Sequence, residues 1–160
     1  MIIKLDIAKG YDKLSWQYLE EILRAHGFSL EWVEWVISLV TSPFYSILLN
    51  GSPIGLFTHT KGIRQGHPLS PFLFILTAKG LRKLIQDQVG RGRIRGLSLH
   101  EDMEKKTHQQ FVDDTMLMGN PSVQEARDFE KNLNLFATNS AFAFNLDESQ
   151  VFCLNTTPII

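Results

Sequence analysis

Two adjacent aspartates, Asp113 and Asp114, interrupt a strand-like apolar run, with Phe111-Val112 before them and Thr115-Met116-Leu117-Met118 after. A β-rich pattern that halts for two short acids and resumes at once predicts a tight hairpin with the acids at its tip. A lone two-stranded hairpin is marginal in water, so further strands or helices must cover it. By itself an Asp-Asp turn is more often a solvated loop tip than a binding site.

The other elements follow from local signals. Residues 2 to 7 read as a short buried strand that ends near Asp6. Ser15 and Ser29 each precede apolar residues at helical spacing, Trp16, Leu19, Ile22 and Leu23 in the first case and Val33, Val36, Ile37 and Val40 in the second. The tryptophans of "EWVEW" are expected in the core. "FYSILLNGSPIGLFTHTKG" predicts a hairpin turning at Asn50-Gly51. A long helix is expected from Ser70, as its cap, to about Val89, with Phe74, Ala78, Leu81 and Ile85 inward. A loop over 90–96, a strand near 97–100 and an exposed turn over 100–107 lead to the acidic hairpin. Asn120-Pro121 reads as the start of a last helix carrying Ala126, Phe129, Leu133 and Phe136, and two short strands near 142–145 and 150–154 close the chain. The mixture predicts an α+β fold with helices on one face of an antiparallel sheet.

Composition narrows the function. With 44% apolar and 21% charged residues over 160 positions, the chain can bury a real core and is not disordered. The net charge of −1 leaves no chain-wide electrostatic footprint for nucleic acid, although a groove can still be basic. The single Cys153 excludes an internal disulfide and favours a reducing compartment, with a buried thiol expected. No apolar run approaches the ~20 residues of a membrane span. Arg91, Arg93 and Arg95 read as an exposed basic loop.

Asp6 makes the hairpin acids more interesting. If its strand lies beside the hairpin, three carboxylates converge, and like charges ~4 Å apart repel by about 4 kcal/mol at an effective dielectric of 20. Such a cluster either takes up protons or binds a cation, and a few hard oxygen ligands suit Mg²⁺ completed by substrate phosphates. "GIRQGHPLSPFLFIL", residues 62–76, supplies a second constellation. Gly62 and Gly66 free the backbone, and Arg64 and Gln65 offer donors beside a helix start, as a nucleotide cradle or an ordinary turn would. Asp12 reads as structural.

"KLDIAKGYDKL", "GIRQGHPLSPFLFIL" and "FVDD", in this order, resemble the palm of reverse transcriptases from non-LTR (LINE-type) retrotransposons. The resemblance covers essentially the whole chain. It implies a palm core over residues 1–160, with fingers and thumb outside it, and RNA-directed DNA polymerase activity. Asp6, Asp113 and Asp114 match the catalytic and metal-binding acids, which implies two Mg²⁺ ions, with Mn²⁺ as a substitute. Tyr11 matches the ring that excludes a ribonucleotide 2′-hydroxyl. Arg64, Gln65 and Gly66 fall in the segment implied to contact the incoming nucleotide. The implied partners are an RNA template, a DNA primer and a dNTP, and a nuclear location is suggested by the family alone.

Some positions depart from that pattern. His67 stands where an acidic or small residue is usual, Val112 where alanine is usual, and Gln109 and Gln110 where apolar side chains fill the strand. In "NLDESQ" the family pattern implies lysine at Glu148, where a glutamate would repel leaving pyrophosphate. These departures define the alternative: a catalytically inactive remnant that keeps the fold and binds Mg²⁺ or nucleic acid weakly.

Overall fold

The structure is a computed structural model and describes residues 1–98 and 104–153. It has a four-stranded antiparallel sheet built from β1 (Ile2–Ala8), β4 (His108–Phe111), β5 (Asp114–Met118) and β6 (Ala143–Phe152), in the order β4-β5-β1-β6. Between β1 and β4 the chain forms α1 (Gly10–Lys13), α2 (Trp16–Ala25), α3 (Leu30–Thr41), the hairpin β2 (Phe44–Leu49) and β3 (Ser52–Thr58), and α4 (Ser70–Gly90). Helix α5 (Val123–Ser140) joins β5 to β6.

Strand alternation divides the sheet into two unlike faces. Leu5, Ile7, Thr115 and Leu117 are buried, and the apolar members of this set share a core with Phe74 of α4 and Phe129 and Phe136 of α5. Each fully buried large apolar side chain contributes about 1.5–3 kcal/mol relative to exposure. Lys4, Asp6, Asp114 and Met116 occupy the intervening positions and stay half-buried or exposed. The helices thus cover one face, as expected of an α+β palm, and the acids lie on the face they leave open.

Serine caps start most of the longer helices. The hydroxyls of Ser15 and Ser29 accept from Tyr18 N–H and Trp32 N–H, each at 3.3 Å. The last helix starts later than the Asn120-Pro121 signal suggests, because Ser122 is its cap and Glu125 turns back to Asn120. A hydroxyl at Ser122 and a carboxylate three residues on satisfy two orphan N–H groups together, which Asn120 could not do. Ser70 does not cap α4. Its buried hydroxyl instead donates to the Arg64 carbonyl at 2.6 Å, and Leu69 holds the cap position.

Other expectations are corrected by packing. Trp35 is 65% exposed on α3, while Trp32 is half-buried and stacks on Phe28. Cys153 is exposed rather than buried. Gln109 is exposed and the half-buried Gln110 amide donates to the Ala78 carbonyl at 3.4 Å, so neither is a buried unpaired amide. Near 97 the chain makes only an isolated bridge, Leu97 to Lys106; residues 104–106 of the expected turn are exposed, and residues 99–103 lie outside the described residues. The two closing strands are one strand, β6, broken by a bulge: Lys4 pairs with Gln150 and Asp6 with Asn145. Residue 154 lies outside the described residues.

The β2–β3 hairpin turns at Asn50-Gly51, both at positive φ (50° and 81°), the geometry of the primed turn that matches strand twist. It forms a separate two-stranded sheet with nearly all of its side chains exposed. Among the described residues no helix is long and apolar enough to cross a membrane.

Candidate active site

The acids meet because of register. Asp6 is the cross-strand partner of Asp114, and the backbone N–H of Ile7 donates to the Asp113 carbonyl at 3.3 Å. Val112 and Asp113 form the two-residue turn, and Asp114 opens β5 opposite Phe111. The β6 bulge brings Glu148 to the same end of the sheet. Partial desolvation raises the Asp6 carboxyl above its ordinary range, and the negative charges of Glu148, Asp113 and Asp114 push it further, with Lys4 pulling the other way.

Lys4 was missed by motif reading. Its Nζ lies 3.2 Å from Asp114 Oδ1, so one acid of the pair already has a cation. The signal was present in the alternation: Lys4 precedes Asp6 by two positions and must share its face. Among the described residues no group of three His, Cys, Asp or Glu side chains is close enough to hold a metal ion. The donor chemistry nevertheless fits a hard divalent cation. The charges of Glu148, Asp113 and Asp114 all act on Asp6 and Lys4 pairs with Asp114, which leaves unbalanced negative charge, and the remaining positions would fall to water or phosphate oxygens.

A cavity of about 400 Å³ opens beside these acids, lined by Tyr11, Gln65, Gly66, Phe74 and Asp113 among others. The Tyr11 ring stacks on Phe74 with centroids 4.8 Å apart and planes within 4°. Phe74 is fully buried, so it holds the tyrosine as a fixed wall. The 62–66 segment is tied to α1, its C-cap and the start of α2 by three short bonds: Ile63 N–H to the Tyr11 carbonyl (2.7 Å), Gly62 N–H to the Leu14 carbonyl (2.7 Å) and Trp16 Nε1–H to the Gly62 carbonyl (2.6 Å). Gly62 is required there, because its φ is +89° and a Cβ would lie 2.7 Å from the Asp12 carbonyl oxygen.

Gln65 donates from Nε2 to Asp12 Oδ1 at 3.3 Å, which gives the exposed Asp12 a positioning contact. Arg64 does not join the pocket under Tyr11. It lines a neighbouring cavity of about 500 Å³ together with Asp12, Tyr45, His59 and His67, and Gln65 borders both. His67 is engaged locally: its Nδ1 accepts the Leu69 N–H at 3.2 Å and so helps to turn the chain into α4. Arg91, Arg93 and Arg95 are exposed, and Arg91 pairs with Asp87 at 2.8 Å.

The chain that brings these acids to the open face of the sheet matches a known family. The pattern described as "Reverse transcriptase (RNA-dependent DNA polymerase)" matches residues 1–157. The chain belongs to the reverse transcriptase family. This reverse transcriptase chain is 41% identical over 73 residues to an uncharacterized mitochondrial protein of Arabidopsis thaliana, covering 45% of this chain and 60% of that protein. It is 32% identical over 89 residues to the Pol polyprotein of a type-2 retrotransposable element of Drosophila melanogaster, covering 56% of this chain and 8% of the polyprotein. Telomerase from Candida albicans, solved in complex with a fragment of telomeric RNA, shares the fold at a TM-score of 0.70 and 17% identity, over 98% of this chain and 27% of the telomerase.

Proposed function

We propose that this chain is the palm of an RNA-directed DNA polymerase, with Asp6, Asp113 and Asp114 as its catalytic acids. The cross-strand pairing of Asp6 with Asp114, with Asp113 in the adjoining turn, carries the reading. Asp6 and Asp113 are the better metal ligands, because Lys4 already engages Asp114. When bound, a pair of Mg²⁺ ions (or Mn²⁺) would supply Lewis-acid activation of a primer 3′-hydroxyl and charge stabilisation at the triphosphate.

The remaining residues bind and orient. Tyr11, held flat by Phe74, would form the floor under the sugar of a dNTP, where one extra 2′-oxygen meets the ring. Gln65 and Gly66 line the same cavity and would face the base or triphosphate. Arg64 would act from the adjoining cavity, which Gln65 also borders. The RNA template would be read by base pairing, so protein contacts need only follow its backbone and shape.

A second reading is an inactive remnant that retains the palm. Glu148 favours it by adding negative charge beside Asp6 where departing pyrophosphate would need a cation. Primer extension on an RNA template separates the two. Polymerase activity predicts Mg²⁺-dependent product that is lost in Asp113→Asn, and absence of product from the unaltered chain at high concentration leaves the remnant.

A further inference from the structure

Among the described residues the hairpin β2–β3 is a sheet of only two strands, and no other strand pairs with the outer edge of β2. A two-stranded sheet is marginal in water, whereas three or more strands with an apolar face hold on their own. Its large apolar side chains nevertheless stand open, from 45% exposed at Phe57 to 73% at Leu56. The apolar surface continues onto α3, where Leu39 lines a cavity with Tyr45 and Trp35 stands exposed one turn earlier. Together this open area matches in order of magnitude the ~800 Å² that each partner buries in a standard interface.

The strand edges of the fold differ in chemistry. Residues 44–58 contain no Asp, Glu, Lys or Arg, and β2 has no proline. Its partner β3 is blunted by Pro53 and by the extra residue of the bulge. In the larger sheet the outer strand β6 carries Asp147, Glu148 and its own bulge, and β4 has only four residues. Proline, charge, bulges and shortness are the devices that keep edges from pairing, and β2 has none of them.

The ladder also says which backbone groups are free. Asn50-Gly51 is a two-residue turn, so Leu49 and Ser52 close it as a hydrogen-bonded pair. Such pairs alternate, which turns the N–H and C=O of Leu48, Ser46 and Phe44 away from β3. Pro53, opposite Leu48, has no N–H to lose there.

We propose that this chain forms a two-fold dimer by antiparallel pairing of β2 with β2 of a second copy. The outward groups centre the pairing on Ser46, which faces its own counterpart, with Phe44 beside the partner's Leu48. A two-fold contact uses the same patch twice, so an uncharged edge meets an uncharged edge and no ion is buried. A nucleic acid would find no cation on this hairpin, and a charged peptide no counter-charge. The blunted β3 strands lie outermost in the resulting four-stranded sheet, so assembly closes at two copies. The inference stands apart from the polymerase reading.

Sedimentation velocity over a range of concentrations should resolve monomer and dimer of the unaltered chain, with nothing larger. Ser46→Lys sets two like charges opposite each other and should weaken the dimer by about tenfold or more. Ser46→Asp should do the same, and an equal mixture of the two variants should restore a dimer. Ser46 is exposed, so neither change disturbs the core. Leu48→Pro removes an outward N–H without touching the β3 ladder and should also weaken the dimer, with the circular dichroism of the monomer kept. The proposal is overturned by a chain that stays monomeric at every concentration, or by a dimer that these variants leave intact. It is equally overturned if the mixture fails to restore the dimer, or if the unaltered chain grows into larger species.

Discussion

Asp6 of β1 and Asp114 of β5 stand directly opposite each other in an antiparallel ladder, and Lys4, two positions back on the same face, forms its ion pair with Asp114 rather than Asp6. Like charges in that cross-strand position are destabilising. The arrangement therefore costs stability in the apo chain and is relieved by a proton or a cation.

Asp6 should show the cost directly. Its folded pKa is raised above 3.8 by desolvation and by Glu148, Asp113 and Asp114, so the folded chain binds this proton more tightly than the unfolded chain. The penalty is full above the folded pKa, fades as pH falls through it and vanishes below the unfolded value. Asp6→Asn should stabilise the apo chain by about 0.5 kcal/mol at neutral pH. Urea titrations at neutral pH and near pH ~4 should show that gain shrinking with acidity. Added Mg²⁺ should reverse the order, raising the midpoint of the parent chain only.

Glu148→Lys should lower the Asp6 pKa, since after desolvation the Glu148 charge does most to raise it. NMR titration of the Asp6 carboxyl carbon measures that shift. If the chain extends primers, the same variant should raise its rate. An unchanged titration would mean that the bulge holds residue 148 too far away.

Val112 adopts φ +54°, a region costly for a β-branched residue, and its side chain is 47% exposed. Asn fits left-handed backbone better and forfeits little burial. Val112→Asn should gain about 1 kcal/mol, read as a higher denaturation midpoint.

Gly62→Ala should be among the most damaging small changes near the site. A methyl group there meets the Asp12 backbone at a φ of +89°, so a loss of about 2 kcal/mol or more is expected by thermal melting. Gln65 and Tyr11 are anchored through the same loop, so if the chain binds a nucleotide as proposed, that affinity should fall with it.

Much of the fold was written in short-range chemistry. Ser15 and Ser29 cap helices because a hydroxyl before an apolar periodic stretch satisfies an N–H within three residues. Asn50-Gly51 makes its turn because both residues tolerate positive φ. The candidate acids were legible by their motifs, while Lys4 and Phe74 lie inside the same quoted stretches without a role there, and the ion pair of one and the ring stack of the other were found by the neighbours they touch.

Long-range packing decided the rest. Ser70 abandons capping because its hydroxyl donates to the Arg64 carbonyl across the loop, and Trp35 stays outside because α3 buries Val33 and Val36 instead. Side-chain period along β1 and β5 already placed their acids on polar positions. Whether those positions would face each other depended on strand order, register and the β6 bulge, which arise from contacts between segments far apart in the chain and have no local signature.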